Sequence, residues 1–285
     1  MNFLELKSLN RDQSTHLLEL QKAIHKHYHA SPLIYWHILK KDRPYTCNIL
    51  AYAGKELIGF ASRFLFHEGT TELSLMVHPK FENEFFIKQL CFTLLKYIPS
   101  GYKNFIVVST AHQVKPVFKP NADWEFTHCS YRLQWQGPAK KPNLIANIGL
   151  EKAKLTDFDG FKHLSDVGFP NGTDMTPEIF ASIIEGSQAQ LWLLKQGQHI
   201  IGSIQINQEN KYYRISDITV LPDFRGQGHA NYMLKSMLHQ LQQRQKTIVL
   251  DVEDTNPIAL NWYLRLGMKK INTSDFWRLP FKEFN

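Results

Sequence analysis

The sequence predicts an α/β protein made of two copies of one domain, and three observations carry that reading. Short stretches recur at a fixed distance. Gly54-Lys-Glu-Leu-Ile-Gly59 matches Gly197-Gln-His-Ile-Ile-Gly202, and Val77-His-Pro-Lys-Phe81 matches Val220-Leu-Pro-Asp-Phe224. The offset is 143 residues throughout (54 to 197, 59 to 202, 79 to 222), without a gap across a hairpin, a strand and a turn. Stretches of period two and period 3.6 also follow one another in the same order in both halves. Between them lies Gln136-Gly-Pro-Ala-Lys-Lys-Pro142, whose prolines and glycine resist helix and central strand alike. The expected division is a first domain at 1–137, a linker at 138–143 and a second domain at 144–285.

The elements follow in order. Phe3-Leu-Glu-Leu6 alternates as a strand, and Leu17, Leu18, Leu20, Ala23 and Ile24 space a helix starting near Asp12 or Ser14. Strands are expected at 49–52 and 57–65 around a turn at Gly54-Lys55, then at 73–77, 105–108 and 131–135, with a helix at 85–95. In the second half the expectation is a strand at 148–155, helices at 158–167 and 177–184, and strands at 191–194 and 200–206. A strand ending at Val220, a helix through Tyr232 to Leu241, a strand at 248–252, a helix from Pro257 and a strand at 276–279 complete it.

The stretch with most chemistry is Ile218-Thr-Val-Leu-Pro-Asp-Phe-Arg-Gly-Gln-Gly-His-Ala-Asn231. A strand here feeds a helix through a glycine turn. Such a turn leaves unpaired N–H groups at the positive end of a helix dipole, a setting that suits phosphate or pyrophosphate. Gly226 and Gly228 let backbone approach the anion, and Arg225 adds charge. Neither the Rossmann nor the Walker spacing is present.

What is present, Arg225-Gly-Gln-Gly228-His-Ala230, resembles the R/Q-x-x-G-x-G/A motif of the GNAT acetyltransferases. Residues 250–268, LDVEDTNPIALNWYLRLGM, are similar to a second signature of that family. Leu250, Val252, Asn256, Ala259, Tyr263 and Gly267 fall in register, and Met268 stands where Phe is usual. The resemblance implies two tandem GNAT folds, each a mixed, mostly antiparallel sheet flanked by helices with splayed central parallel strands. It implies acetyl-CoA as the acetyl donor and no metal. Backbone groups of Ile218, Thr219 and Val220 would pair with pantetheine and polarise the thioester carbonyl. The amides of Arg225, Gly226, Gln227, Gly228, His229, Ala230 and Asn231 would hold the pyrophosphate, and Asn256 the pantetheine arm. Asn256 before Pro257 also reads as a helix N-cap, and both roles can hold together.

Tyr263 matches the family tyrosine that touches the CoA sulfur and protonates the departing thiolate, a task suited to a phenol that is neutral at pH 7. Asp217, Glu253 and Asp254 are candidates for the base that deprotonates the acceptor amine, with Glu253 preferred. Strand alternation puts Asp217 on the face opposite Ile218 and Val220. The acceptor pocket would come from 168–173 and from 272–277. In the first copy the 143-residue offset places Glu82-Asn-Glu-Phe-Phe-Ile87 opposite Arg225–Ala230. Two carboxylates and bulky side chains replace an arginine and two glycines, so this copy is expected to be a degenerate partner.

Tandem proteins with one degenerate half are similar to mycothiol synthase and to the VipF-type effectors that intracellular bacteria inject into host cells. The effector resemblance implies an amine on a protein as acceptor and translocation into a host cytosol. The alternatives are a small-molecule amine (polyamine, aminoglycoside or thiol-precursor amine) and a non-catalytic acyl-CoA-binding scaffold. Composition narrows the remainder. The chain is 43% hydrophobic and 21% charged, as globular proteins are, and no apolar run is long enough to span a bilayer. The N-terminus lacks a basic region followed by an apolar one, so a cytoplasmic chain is expected. Three cysteines without metal spacing fit a reducing compartment. His25, His27 and His29 read as surface histidines. The net charge of +7 lies in the first 141 residues, but as scattered charges, and signals neither nucleic acid nor membrane.

Overall fold

The computed structural model describes residues 1–67, 70–98, 101–102, 104–110, 125–169, 175–209, 212–244 and 246–280. In the first half the elements are β1 (Asn2–Leu6), α1 (Arg11–Tyr28), α2 (Trp36–Leu39), β2 (Asn48–Ala53), β3 (Glu56–His67), β4 (Thr70–Val77), α3 (Glu84–Leu95), β5 (Asn104–Ser109) and β6 (Glu125–Trp135). The second half adds β7 (Ile148–Lys152), α4 (Phe158–Gly168), α5 (Pro177–Glu185), β8 (Ala189–Gln196), β9 (His199–Gln208) and β10 (Tyr212–Val220). It closes with α6 (His229–Gln242), β11 (Thr247–Glu253), α7 (Pro257–Arg265) and β12 (Met268–Pro280).

Two compact units form. The first comprises Met1–Arg132, Val252–Asn261 and Lys270–Asn285; the second comprises Leu133–Asp251 and Trp262–Lys269. The units therefore do not follow the linear division at 138–143. The reason lies in backbone pairing: β12 runs thirteen residues and pairs antiparallel with β5, from Asp275 opposite Ser109 to Pro280 opposite Asn104. The last strand of the second copy thus closes an edge of the first unit, whose strand order is β1-β2-β3-β4-β5-β12-β6. The stretch expected as a linker contains neither helix nor strand, yet it is docked on α6. The Gln242 amide donates to the Ala139 carbonyl at 2.7 Å, and the Ala139 N–H donates to Gln242 Oε1 at 2.8 Å.

In the first unit α1 is capped by Asn10, ahead of the start expected near Asp12 or Ser14. Asn10 Oδ1 accepts from the Gln13 N–H and Gln13 Oε1 accepts from the Asn10 N–H, each at 2.9 Å, a reciprocal capping box. Leu17, Leu20 and Ile24 of α1 pack on Leu50, Phe60 and Met76. On the other face Phe86, Ile87, Leu90 and Leu94 of α3 cover Ile58, Leu75 and Val77. The even and odd residues of β4 thus go to opposite helices, as strand alternation requires.

The second unit has the order β11-β10-β9-β8-β7, with β10 and β11 parallel and the other pairs antiparallel. Its packing repeats that of the first unit at the same 143-residue offset. A Cβ on Gly59 would lie 2.9 Å from Leu90 Cδ1, and one on Gly202 would lie 3.1 Å from Met233 Cε. In each copy a glycine lets the helix sit close to the sheet. Gly59→Ala would also press on Phe86 Cζ at 2.6 Å. We expect a loss of about 1–3 kcal/mol of stability from overpacking, read by denaturant unfolding. Among the described residues no helix is long and apolar enough to cross a membrane.

Candidate functional site

In the second unit β10 and β11 pair from Tyr212 opposite Thr247 to Ile215 opposite Leu250, and there the pairing ends. Each strand runs on, to Val220 and to Glu253, so the parallel pair parts at this end. On its other side β10 carries a bulge. Ser216 faces Gln205 and Thr219 faces Ser203, so Asp217 and Ile218 together oppose Ile204. Asp217 takes a left-handed φ of 53°, its carbonyl accepts from Ser203 Oγ at 3.1 Å, and its carboxylate accepts from Ser216 Oγ at 2.8 Å. The simple alternation expected for Asp217, Ile218 and Val220 is therefore broken: Thr219 and Val220 are both buried, and Ile218 is half-buried. The bulge withdraws backbone groups from the ladder where the parallel pair separates.

Beyond Val220 a 3-10 turn at Pro222–Phe224 leads to Arg225, Gly226 and Gly228. Gly226 (φ 75°) and Gly228 (φ 83°) have left-handed backbones, and a Cβ on either would meet open space. These glycines answer to backbone conformation and to the space in front of them, with no crowding from the protein itself. Gly228 is the N-cap of the fourteen-residue α6 and contributes no side-chain cap. The first amides of α6 thus face outward with the helix dipole behind them.

The Arg225 side chain has a structural bond of its own. Its Nε donates to the Val220 carbonyl at 2.9 Å, bracing the turn against the strand end. Gln227 Nε2 donates to the Asp223 carbonyl at 3.0 Å, and the buried His229 donates from Nδ1 to the Phe224 carbonyl at 3.0 Å. These side chains shape the turn. A pocket of about 210 Å³ beside it is lined by Pro142, Asn143, Ile145, Gly228, Asn231, Tyr232 and Lys235. Lys235 and the linker residues escaped the sequence reading. Gly228, Asn231 and Lys235 recur at helical spacing, which was the available signal.

The first copy differs at each of these points. The pairing of β3 with β4 runs unbroken from Phe64 opposite Glu72 to Gly59 opposite Val77, so no bulge occurs at the matching place. The N-terminus of α3 is capped by Asn83, whose Oδ1 accepts from the Phe86 N–H at 2.9 Å, and Glu84 sits in its first turn. Glu82 accepts a hydrogen bond from Tyr28. Asn83 thus occupies one of the amides at this helix end.

Tyr263 is buried on α7, its ring 4.7 Å from that of Trp262, and burial pushes its phenol up to about 12. Asn256 caps α7, with Oδ1 accepting from the Ala259 N–H at 3.1 Å. Of the candidate bases, Asp254 accepts from the Cys129 N–H at 3.0 Å in a structural bond. Glu253 is more than half exposed, accepts from Thr255 Oγ1 at 2.9 Å, lies 3.6 Å from His128 Nε2, and lines a cavity of the first unit. In the expected acceptor regions, residues 170–173 lie outside the described residues. Gly168 ends α4 against Thr219. Asn272 and Ser274 bond to Ser31, and Trp277 joins the first unit's core. Among the described residues no cluster of His, Cys, Asp or Glu is suited to a metal ion.

Residues 159–268, which hold the bulge, the glycine turn and α7, match the family model of the acetyltransferase (GNAT) family. No curated relative matches the chain. Solved structures resemble it over nearly the whole length. A GCN5-related N-acetyltransferase from Sphaerobacter thermophilus has a TM-score of 0.77 at 14% identity, over 98% of this chain and 95% of the other. A tandem GNAT protein from the clavulanic acid biosynthesis pathway has 0.69 at 11% identity, over 98% of each chain. A GNAT-family acetyltransferase from Colwellia psychrerythraea has 0.61 at 17% identity, over 99% of this chain and 100% of the other. The fold is accordingly a mixed α/β fold of GNAT type, with a counterpart in a solved tandem GNAT protein and a GNAT family match over residues 159–268.

Proposed function

We propose that this chain transfers an acetyl group from acetyl-CoA to an amine, using its second copy. The observation that carries this reading is the uncapped N-terminus of α6 behind Gly226 and Gly228, next to a bulged strand that parts from its parallel neighbour. Amides from Gly226 to Asn231 would hold the pyrophosphate, and the nearby Lys235 would add charge. Backbone donors freed by the bulge at Asp217 and Ile218 would polarise the thioester carbonyl as the amine attacks. The C–N bond forms, the C–S bond breaks, and Tyr263 gives its proton to the leaving sulfur. Glu253 is kept as the base that takes the amine proton. Asn256 would offer its amide N–H to pantetheine, its Oδ1 being held in the helix cap.

Calorimetric titration of acetyl-CoA into the full chain tests the assignment to one copy, and the expected stoichiometry is one. Two sites would mean that the first copy binds despite Asn83 and Glu84; none would overturn the proposal. For the acceptor we keep an amine on a protein or peptide, the reading that the effector resemblance carries. A positively charged first half would then dock an acidic partner, and acceptor affinity should fall as salt rises.

A further inference from the structure

A cavity of the first unit, which shares Glu253 with the proposed reaction, holds another carboxyl group, Glu72, that acyl transfer beside α6 does not use. It holds about 270 Å³, and Tyr35, Glu72, Ile106, His128, Glu253 and Phe276 are among its walls. Glu72, on β4, is half-buried as a residue. Tyr35 donates a hydrogen bond to its carboxyl group, while Oε1 is shut off from solvent and has no hydrogen-bond partner. A carboxylate oxygen closed to solvent calls for a donor, and none is supplied among the described residues. Phe276 stacks on His128 with ring centroids 4.3 Å apart, and with Ile106 it gives the cavity apolar walls. Glu253 adds a second carboxylate and lies 3.6 Å from His128 Nε2.

We propose that this cavity binds a protonated primary amine on an aliphatic stem, the ammonium donating to Glu72 and the stem lying against Ile106 and Phe276. The site stands whether or not the second copy transfers acetyl groups. Burial raises the Glu72 carboxyl to about 7, with the Tyr35 hydrogen bond acting in the opposite direction. The other titratable groups lining the cavity are Tyr35, His128 on β6 and Glu253 at the end of β11. Near pH 6.5 much of the empty site therefore holds a neutral acid. Binding joins R–NH₃⁺ to the carboxylate, and the displaced carboxyl proton passes to the buffer.

The experiment is calorimetry of n-butylamine into the full chain at pH 6.5, in two buffers of different ionisation enthalpy, with butan-1-ol as the neutral comparison. The expected result is one site for the amine, none for the alcohol, and a heat that differs between buffers by the release of up to about one proton. Glu72→Gln keeps the shape, should weaken binding by about tenfold or more, and should abolish the buffer dependence. Tyr35→Phe removes the donor that favours ionised Glu72, so the pH midpoint of binding should move upward. Absence of amine binding, equal binding by E72Q, or a heat independent of buffer in the wild type would overturn the proposal.

Discussion

Replacing Gly228 with glutamate is expected to abolish acetyl-CoA binding, weakening it by on the order of a hundredfold or more. Two effects act together. At φ 83° an L side chain is strained, by about 1–2 kcal/mol, and this part should appear as lost thermal stability. The new Cβ enters open space in front of α6, so the carboxylate projects where the amides would receive phosphate. It competes with the ligand as an internal anion and repels it. Gly228→Ala separates the two effects, since it keeps most of the strain without the charge. The matching change in the first copy should behave otherwise: Asn83→Ala loses an N-cap worth about 1 kcal/mol while acetyl-CoA affinity stays the same. Unchanged affinity in G228E would remove α6 from the proposed site.

Tyr263→Phe is expected to bind acetyl-CoA as the wild type does and to lose about a hundredfold in kcat. The hydroxyl is wanted only when charge develops on sulfur, so its loss falls on turnover. Burial raises the phenol to about 12, so it remains protonated throughout an ordinary pH profile, and an alkaline decline of kcat near pH 8–10 would belong to another group. A stability consequence has a definite sign. Between about 10, where an unfolded tyrosine ionises, and about 12, the folded state holds a proton that the unfolded state has lost. Unfolding is therefore favoured as pH rises through this window, and Y263F should lack that component. Equal kcat in the variant would leave Tyr263 a packing residue.

Much of this was legible because glycines, prolines and apolar spacing write themselves directly into sequence. The 143-residue offset correctly paired Gly59 with Gly202, and the structure adds the pairing of Leu90 with Met233 as their contacts. The glycine turn at Gly226 and Gly228 was legible as a turn, and the structure adds its left-handed backbone. The bulge was not, because side-chain alternation assumes an unbroken ladder; only the aspartate at a left-handed position hints at it. The bond from Arg225 to the Val220 carbonyl was not legible, because sequence shows charge and not direction. Glu72 lies just outside the strand expected at 73–77, and nothing in the sequence shows that Tyr35, far away in the chain, bonds to it. The exchange of β12 into the first unit had no signature either, because it is made by backbone hydrogen bonds that any residue can offer.

That exchange bears on how the protein is made. The edge of β5 waits for a partner that lies more than 150 residues downstream. At a synthesis rate of about 5–20 residues per second, the wait on the ribosome is on the order of ten seconds or more. Until then the first-made sheet has an open border able to recruit other strands, and a messenger broken before the last codons would leave that border permanently bare.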